Sequence, residues 1–254
     1  HIGSWEWNAS TNEVTWSAEL YRIYDIDPGT PLSFETFLSR VHPEDRERVQ
    51  KQISDAMQRG GRFAHLDRVV WRDGTVRELD TAGEVLLDAA GKPVGLIGTS
   101  RDVTEERRRA RAVQRSRQLQ GCERVALEQL AAGKPLLDVL SVIVRGIEEV
   151  EPRMTASLLL MGPSGKRFWQ CVAPSMPRSY NLALEGVEIG PVAGSCGTAA
   201  YRREQVFVAD ICTDPLWVDF KHLVEPLGLR ACWSSPIIAT DGRVLGTFAV
   251  YYRE

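Results

Sequence analysis

No apolar run in the 254 residues could span a bilayer. Stretches such as ASLLLM at 156–161 fall far short of the roughly 18 to 20 residues required. No signal-peptide pattern opens the chain, and a sequence starting on His1 rather than Met is expected to be part of a longer protein. The cysteines Cys122, Cys171, Cys196, Cys212 and Cys232 are odd in number, irregularly spaced and without a C-x-x-C pair. That argues against a disulfide framework or a zinc site and suits reduced thiols in a cytosol. Excess charge is also missing: a net charge of −3 and a pI near 5.9 give no overall pull toward nucleic acid or anionic membrane. The one basic run, RRRARAVQRSR at 107–117, has no interleaved aromatics and reads as a solvated helix face rather than a nucleic-acid site.

What is present reads as ordinary globular protein, 43% hydrophobic and 26% charged, long enough for two cores. Trp5 and Trp7 alternate, then Val14 and Trp16, around the polar turn Asn8 to Asn12, which predicts a hairpin. AELYRIYDI and FETFLSRV carry helical spacing. A further helix starts at Pro43, Glu44 and Asp45 and ends near Gly60. Three strands follow, separated by Asp73-Gly74 and by a turn at Ala89 to Gly91.

From residue 104 to about 150 the chain favours helix. Leu119, Cys122, Ala126 and Leu130 form an apolar seam, Gly121 weakens continuity, and Gly133 with Pro135 separates off a second helix. Beyond it come two hairpins, turning at GPSG and at Asp241-Gly242, with the helix CGTAAYRR, the strand QVFVAD and an irregular stretch between them. The fold class is α+β: two domains, each an antiparallel sheet with flanking helices, joined by a helical linker.

GSWEW, VTWSAELYRIY, VHPEDR, the hairpin WRDGTVR and the closing GTSRDVTEER resemble a PAS sensor domain over residues 1–106. The Asp102-Val103-Thr104 triplet resembles the junction at which such domains hand over to a signalling helix. After a linker at 107–123, residues 124–254 resemble a GAF domain through LEQLAAGKPLLDVL, IGPVAGSCGTAA, VFVADICTDPLW, LRACWSSPI and DGRVLGTFAVYY. The resemblance implies a sensory, signal-transmitting module of a bacterial signalling protein, cytoplasmic and homodimeric, that is not itself an enzyme. It also implies an output domain outside this chain: a histidine kinase, a diguanylate cyclase or an EAL phosphodiesterase. No kinase, GGDEF or EAL signature occurs within these residues.

A small-molecule ligand, unidentified, is expected among aromatic side chains: Trp16, Tyr21, Tyr24 and Trp71, with Trp5, in the first domain, and Trp169, Trp217, Phe220 and Trp233 in the second. His42 is also a candidate, although its HPEDR turn suits structural hydrogen bonds, and His65 is expected to face solvent. Either could in principle ligate haem, as a histidine does in some PAS domains. The cysteine-containing helix motif of light-oxygen-voltage domains, the Cys-His pair of bilin-binding GAF domains and the NKFDE pattern of cyclic-nucleotide-binding ones are not found. The cofactor is therefore unknown, and no metal site or catalytic residue is assigned.

Cys196 lies in a G-x-C-G turn like that of GAF-fold free methionine sulfoxide reductases. A helix N-terminus favours thiolate. The second cysteine of those enzymes has no counterpart in the DPLWVDF segment. The alternatives are a redox-sensitive thiol, a reductase, or a small residue filling a tight turn in a structural dimerisation module.

Overall fold

In the computed structural model, which describes residues 2–253, the polar turn folds β1 (Ile2–Asn8) onto β2 (Val14–Trp16), pairing Trp5 with Trp16 and Trp7 with Val14. Asn12 takes the left-handed conformation that this side chain tolerates best after glycine. Helices α1 (Ala18–Ile23), α2 (Phe34–Arg40) and α3 (Pro43–Arg59) follow. Pro43 sits where a missing N–H costs nothing, Glu44 and Asp45 complement the dipole of α3, and Gly60 ends it. Strands β3 (Arg62–Val70), β4 (Val76–Leu87) and β5 (Pro93–Asp102) complete an antiparallel sheet of order β2-β1-β5-β4-β3. Leu20, Ile23 and Tyr24 pack with Val69 and Leu79, and Val49 and Ile53 pack with Leu96, so the core lies between the helices and one sheet face.

Asp45 ties α3 to β3. Its carboxylate accepts from Arg68 Nε at 2.9 Å, Arg68 Nη2 at 3.0 Å and the Arg68 backbone N–H at 3.0 Å. These bonds hold its pKa down at about 2. Asp45→Ala is expected to lower the stability of this unit by about 2 to 3 kcal/mol at pH 7. A carboxylate with a depressed pKa stabilises above pH 4 and loses that contribution as the pH falls toward 2. Chemical denaturation at pH 7 and pH 2.5 checks this: the gap between wild type and variant should narrow in acid.

Asp102 Oδ1 accepts the backbone N–H of Thr104 at 2.9 Å, and Thr104 Oγ1 accepts that of Glu78 at 2.8 Å, fastening the start of α4 (Thr104–Ala131) to β4. Arg107 and Arg111 both reach Glu78, at 3.2 and 2.6 Å, so part of the arginine run is engaged rather than free in solvent. Helix α4 runs unbroken through Gly121. One glycine costs about 1 kcal/mol, which a helix of 28 residues absorbs. Gly133 and Pro135 then stop it and α5 (Leu136–Val150) begins. The chain divides between Ala112 and Val113 into two compact units.

The second unit has strands β6 (Met154–Met161), β7 (Phe168–Val172), β8 (Val206–Val208), β9 (Ala231–Ile238) and β10 (Val244–Tyr252) in the antiparallel order β7-β6-β10-β9-β8. Alternation along β10 separates two cores. Phe248 and Val250 face α5, while Ala249 and Tyr251 face α6 (Arg178–Leu184), α7 (Gly194–Arg202) and the loop carrying α8 (Lys221–Val224). Helix α6 escapes sequence reading because seven residues with only Tyr180 and Leu184 buried show no clear period. Both units are α+β. No helix among the described residues is long and apolar enough to cross a membrane.

Candidate functional site

Each unit encloses a cavity on the helix-covered face of its sheet. In the first, Trp5 lies flat across the strands. Gly83, opposite Gly98 on β5, permits this: a Cβ there would stand 2.7 Å from Phe63 and 2.8 Å from Trp5. Above it is a cavity of about 50 Å³ whose aromatic walls are Trp5, Trp7, Trp16, Tyr24, Phe34 and Phe37. Ring centroids follow one another around it: Trp7–Phe34 at 5.3 Å, Phe34–Phe37 at 5.9 Å, Phe37–Tyr24 at 6.0 Å and Tyr24–Trp16 at 4.7 Å.

Beside this cavity runs a buried polar chain. Trp5 Nε1 donates to Ser100 Oγ at 3.2 Å, Ser100 and Thr81 share a hydrogen bond of 3.0 Å, and Thr81 Oγ1 donates to Asp67 Oδ1 at 3.1 Å. His65 Nε2 lies 3.4 Å from that same carboxylate oxygen. Asp67 Oδ2 and both ring nitrogens of His65 are buried without a hydrogen-bond partner. Burial pushes Asp67 up to about 7, opposed by the Thr81 hydrogen bond and by Arg48. Burial lowers His65 to about 4, helped by Arg48. Tyr24 is raised by burial and then by the Asp67 charge, while a hydrogen bond with Ser100 opposes this.

The expectation that His65 faces solvent is corrected: its side chain is 2% exposed. The alternation Phe63, His65, Asp67, Val69 along β3 turns it inward. Of the other candidates, Trp16 and Tyr24 line the cavity, and Tyr21 packs edge-on against Trp16 at 5.6 Å without lining it. Trp71 is structural. Its Nε1 donates to the Ile23 carbonyl at 2.9 Å, and Arg77 lies 4.4 Å over its ring, clamping the β3–β4 hairpin to α1. His42 caps α3, its Nδ1 accepting the Glu44 N–H at 3.4 Å. Phe34 and Phe37 were legible only as helix residues, and nothing local marked them as cavity walls.

The second cavity is smaller, about 20 Å³, and is lined by Cys196, Trp217 and Phe220 together with Ser195, Tyr180 and Tyr251. Gly194 opens α7 with a positive φ of 61°. The following small residues pack onto the sheet, so Cys196 is only 7% exposed. Its Sγ lies 3.4 Å from Ser234 Oγ and 3.8 Å from Tyr251 OH. Tyr180 OH donates to Tyr251 OH at 2.8 Å, and Ser234 Oγ to Ser195 Oγ at 2.8 Å. Burial pushes the Cys232 thiol up to about 12 and raises Cys171 further. The Trp217 Nε1–H is buried without an acceptor. Trp169 and Trp233 do not line this cavity. Trp169 stands 62% exposed on β7, and Trp233 lies on the opposite sheet face, stacked on Phe207 at 6.1 Å. Among the described residues no group of three or more His, Cys, Asp or Glu side chains is placed to hold a metal ion.

Comparison with known proteins matches residues 13–100 to the PAS fold family and residues 104–254 to the GAF domain family. The methyl sulfide methyltransferase-associated sensor of Methanosarcina acetivorans is 28% identical over 252 residues, covering 91% of this chain and 24% of that protein. The sensor protein FixL of Bradyrhizobium diazoefficiens is 31% identical over 106 residues, 42% of this chain and 21% of its own length. The probable diguanylate cyclase DgcE of Escherichia coli is 30% identical over 104 residues, 41% of this chain and 9% of its own. The chain thus spans a quarter or less of the length of these relatives.

Proposed function

Because the chain belongs to the GAF domain family and carries a PAS fold ahead of that domain, forming a PAS–GAF sensor module, we propose that it senses a small molecule in the aromatic cavity of its first unit. The observation that carries this reading is a cavity of about 50 Å³ left open among aromatic side chains, where a core serving only stability would be filled.

A ligand that binds one packing of the aromatic walls more tightly than another shifts their populations. Ser100 and Thr81 lie on β5 and β4, and the same two strands hold the start of α4 through Asp102 and Glu78. A change at the cavity therefore has a short route to the helix. In this reading the protein is cytoplasmic and α4 passes the bias to an output domain, a histidine kinase, diguanylate cyclase or EAL phosphodiesterase. The sensor and cyclase relatives support that assignment.

The module acts as a homodimer. Leu119, Leu127 and Leu130 of α4, with Leu136 of α5, present an exposed apolar stripe suited to a second copy of the same helix pair. In this reading it is a binding module and not an enzyme: Cys196 is 7% exposed within a turn of small residues, and burial keeps Cys171 and Cys232 protonated and poorly nucleophilic. Turnover of free methionine sulfoxide that Cys196→Ser abolishes would overturn that part.

Native mass spectrometry of protein purified from cells tests the whole. The expected result is a dimer carrying a stoichiometric, non-covalent extra mass. A dimer that carries none would turn the reading to a structural dimerisation module, and a monomer would remove transmission through paired helices.

A further inference from the structure

The chemistry of the first cavity narrows its ligand. Its walls are almost wholly apolar. Two of the indole N–H groups at its edge are already engaged: Trp5 Nε1 donates to Ser100 Oγ at 3.2 Å, and Trp7 Nε1 to Asn12 Oδ1 at 3.1 Å. What the cavity does offer is ring faces, with successive centroids 4.7 to 6.0 Å apart, and an ionisable carboxyl linked to Trp5 through Ser100 and Thr81. That group is Asp67, whose side chain is fully buried, whose Oδ2 has no partner, and whose charge is felt at Tyr24. A buried carboxylate without a matching cation is costly, and its cost falls when a positive charge is brought close.

We propose, resting on the reading of this cavity as the sensing site, that it takes a compact organic cation, a quaternary or fully methylated ammonium group, held against the aromatic faces with Asp67 as counter-charge. Such a group needs no directional hydrogen bond. It is attracted to the negative faces of Trp, Tyr and Phe rings, most strongly where water is excluded. The volume fits: at about 10 to 15 Å³ per water-sized occupant, 50 Å³ accommodates roughly three to five heavy atoms, and a trimethylammonium head has about four.

Binding should also depend on pH. The groups around Asp67 are His65 beside it on β3, Arg48 and Asp45 from α3, Asp80 from β4 and Tyr24 after α1. Arg48 is shared with Asp45 at 3.5 Å, so it does not neutralise Asp67 alone. A cation in the cavity favours the ionised carboxylate, so its binding should release a proton and tighten as the pH rises through 7.

The test compares choline with 3,3-dimethylbutan-1-ol, its uncharged counterpart of the same shape, by calorimetry on the whole chain at pH 6 and pH 8. Choline is expected to bind about tenfold or more tightly than the alcohol and to gain affinity at pH 8, while the alcohol shows no pH dependence. Asp67→Asn should weaken choline alone, and Trp16→Leu should remove the preference. Equal or tighter binding of the alcohol would overturn the cationic assignment while leaving the cavity as a small-molecule site. Binding of neither, with no change in tryptophan fluorescence, would overturn both. The wild-type comparison decides the matter even if a variant fails to fold.

Discussion

Replacing His65 with Gln is expected to make the first unit less stable as the pH rises from 4 to 7, by about 3 kcal/mol in all. Asp67 has its ordinary value near 3.8 in the unfolded chain and about 7 when folded. The folded state therefore holds a proton across this window that the unfolded state has released. A group whose pKa is raised by folding stabilises fully below its unfolded pKa and loses that contribution as the pH climbs through the folded one. His65 behaves in the opposite sense. It falls from about 6.5 to about 4 on folding, so its contribution is complete above 6.5 and is lost as the pH falls toward 4.

In the wild type the two cancel between pH 4 and 6.5. One proton sits on Asp67 in the folded pair and one on His65 in the unfolded chain, so unfolding neither takes up nor releases a proton there. Asp67→Asn should thus do the reverse of His65→Gln, with stability increasing by about 3 kcal/mol from pH 4 to 6.5. Urea denaturation of the three proteins at pH 4.5, 5.5, 6.5 and 7.5 checks this. Three parallel curves would mean that the buried pair does not titrate as described.

The double variant Leu127→Glu with Leu130→Glu is expected to weaken dimerisation about 100-fold, equivalent to about 2.8 kcal/mol, while leaving the melting of each unit unchanged. Both leucines are more than half exposed in the single chain, at 58% and 53%, so little packing within the chain is lost. In a dimer packed through this stripe, four new carboxylates would be buried or brought together near the two-fold axis, without partners. Sedimentation velocity at micromolar concentrations measures the shift. A variant that remains as dimeric as the wild type would place the interface elsewhere.

Much of the fold was legible because local chemistry announced it. Asp73-Gly74 and Asp241-Gly242 marked their turns, Pro43 and Gly60 bracketed α3, and alternating Trp5, Trp7 and Trp16 marked a hairpin. Helix α6 was lost for want of length, and Gly121 proved weaker than the helix around it. The cavity walls were half legible. Trp16 and Tyr24 stood out as aromatic, but so did Trp71, Trp169 and Trp233, which serve a clamp, an exposed strand and the opposite sheet face. His65 could have been placed by the same alternation that placed its neighbours, since Phe63, Val69 and Trp71 share its parity.

The sequence by itself determined that this protein builds two antiparallel α+β units joined by helix, and its motifs marked them as PAS and GAF. Turn residues, caps and hydrophobic period act over a few positions and are written there. Only the tertiary structure decided which aromatic rings share a cavity and that Asp67 lies buried behind them. Those neighbours come from β1, β2, α1, α2 and β3, and sheet register and helix packing, rather than any local preference, bring them within a few ångströms of one another.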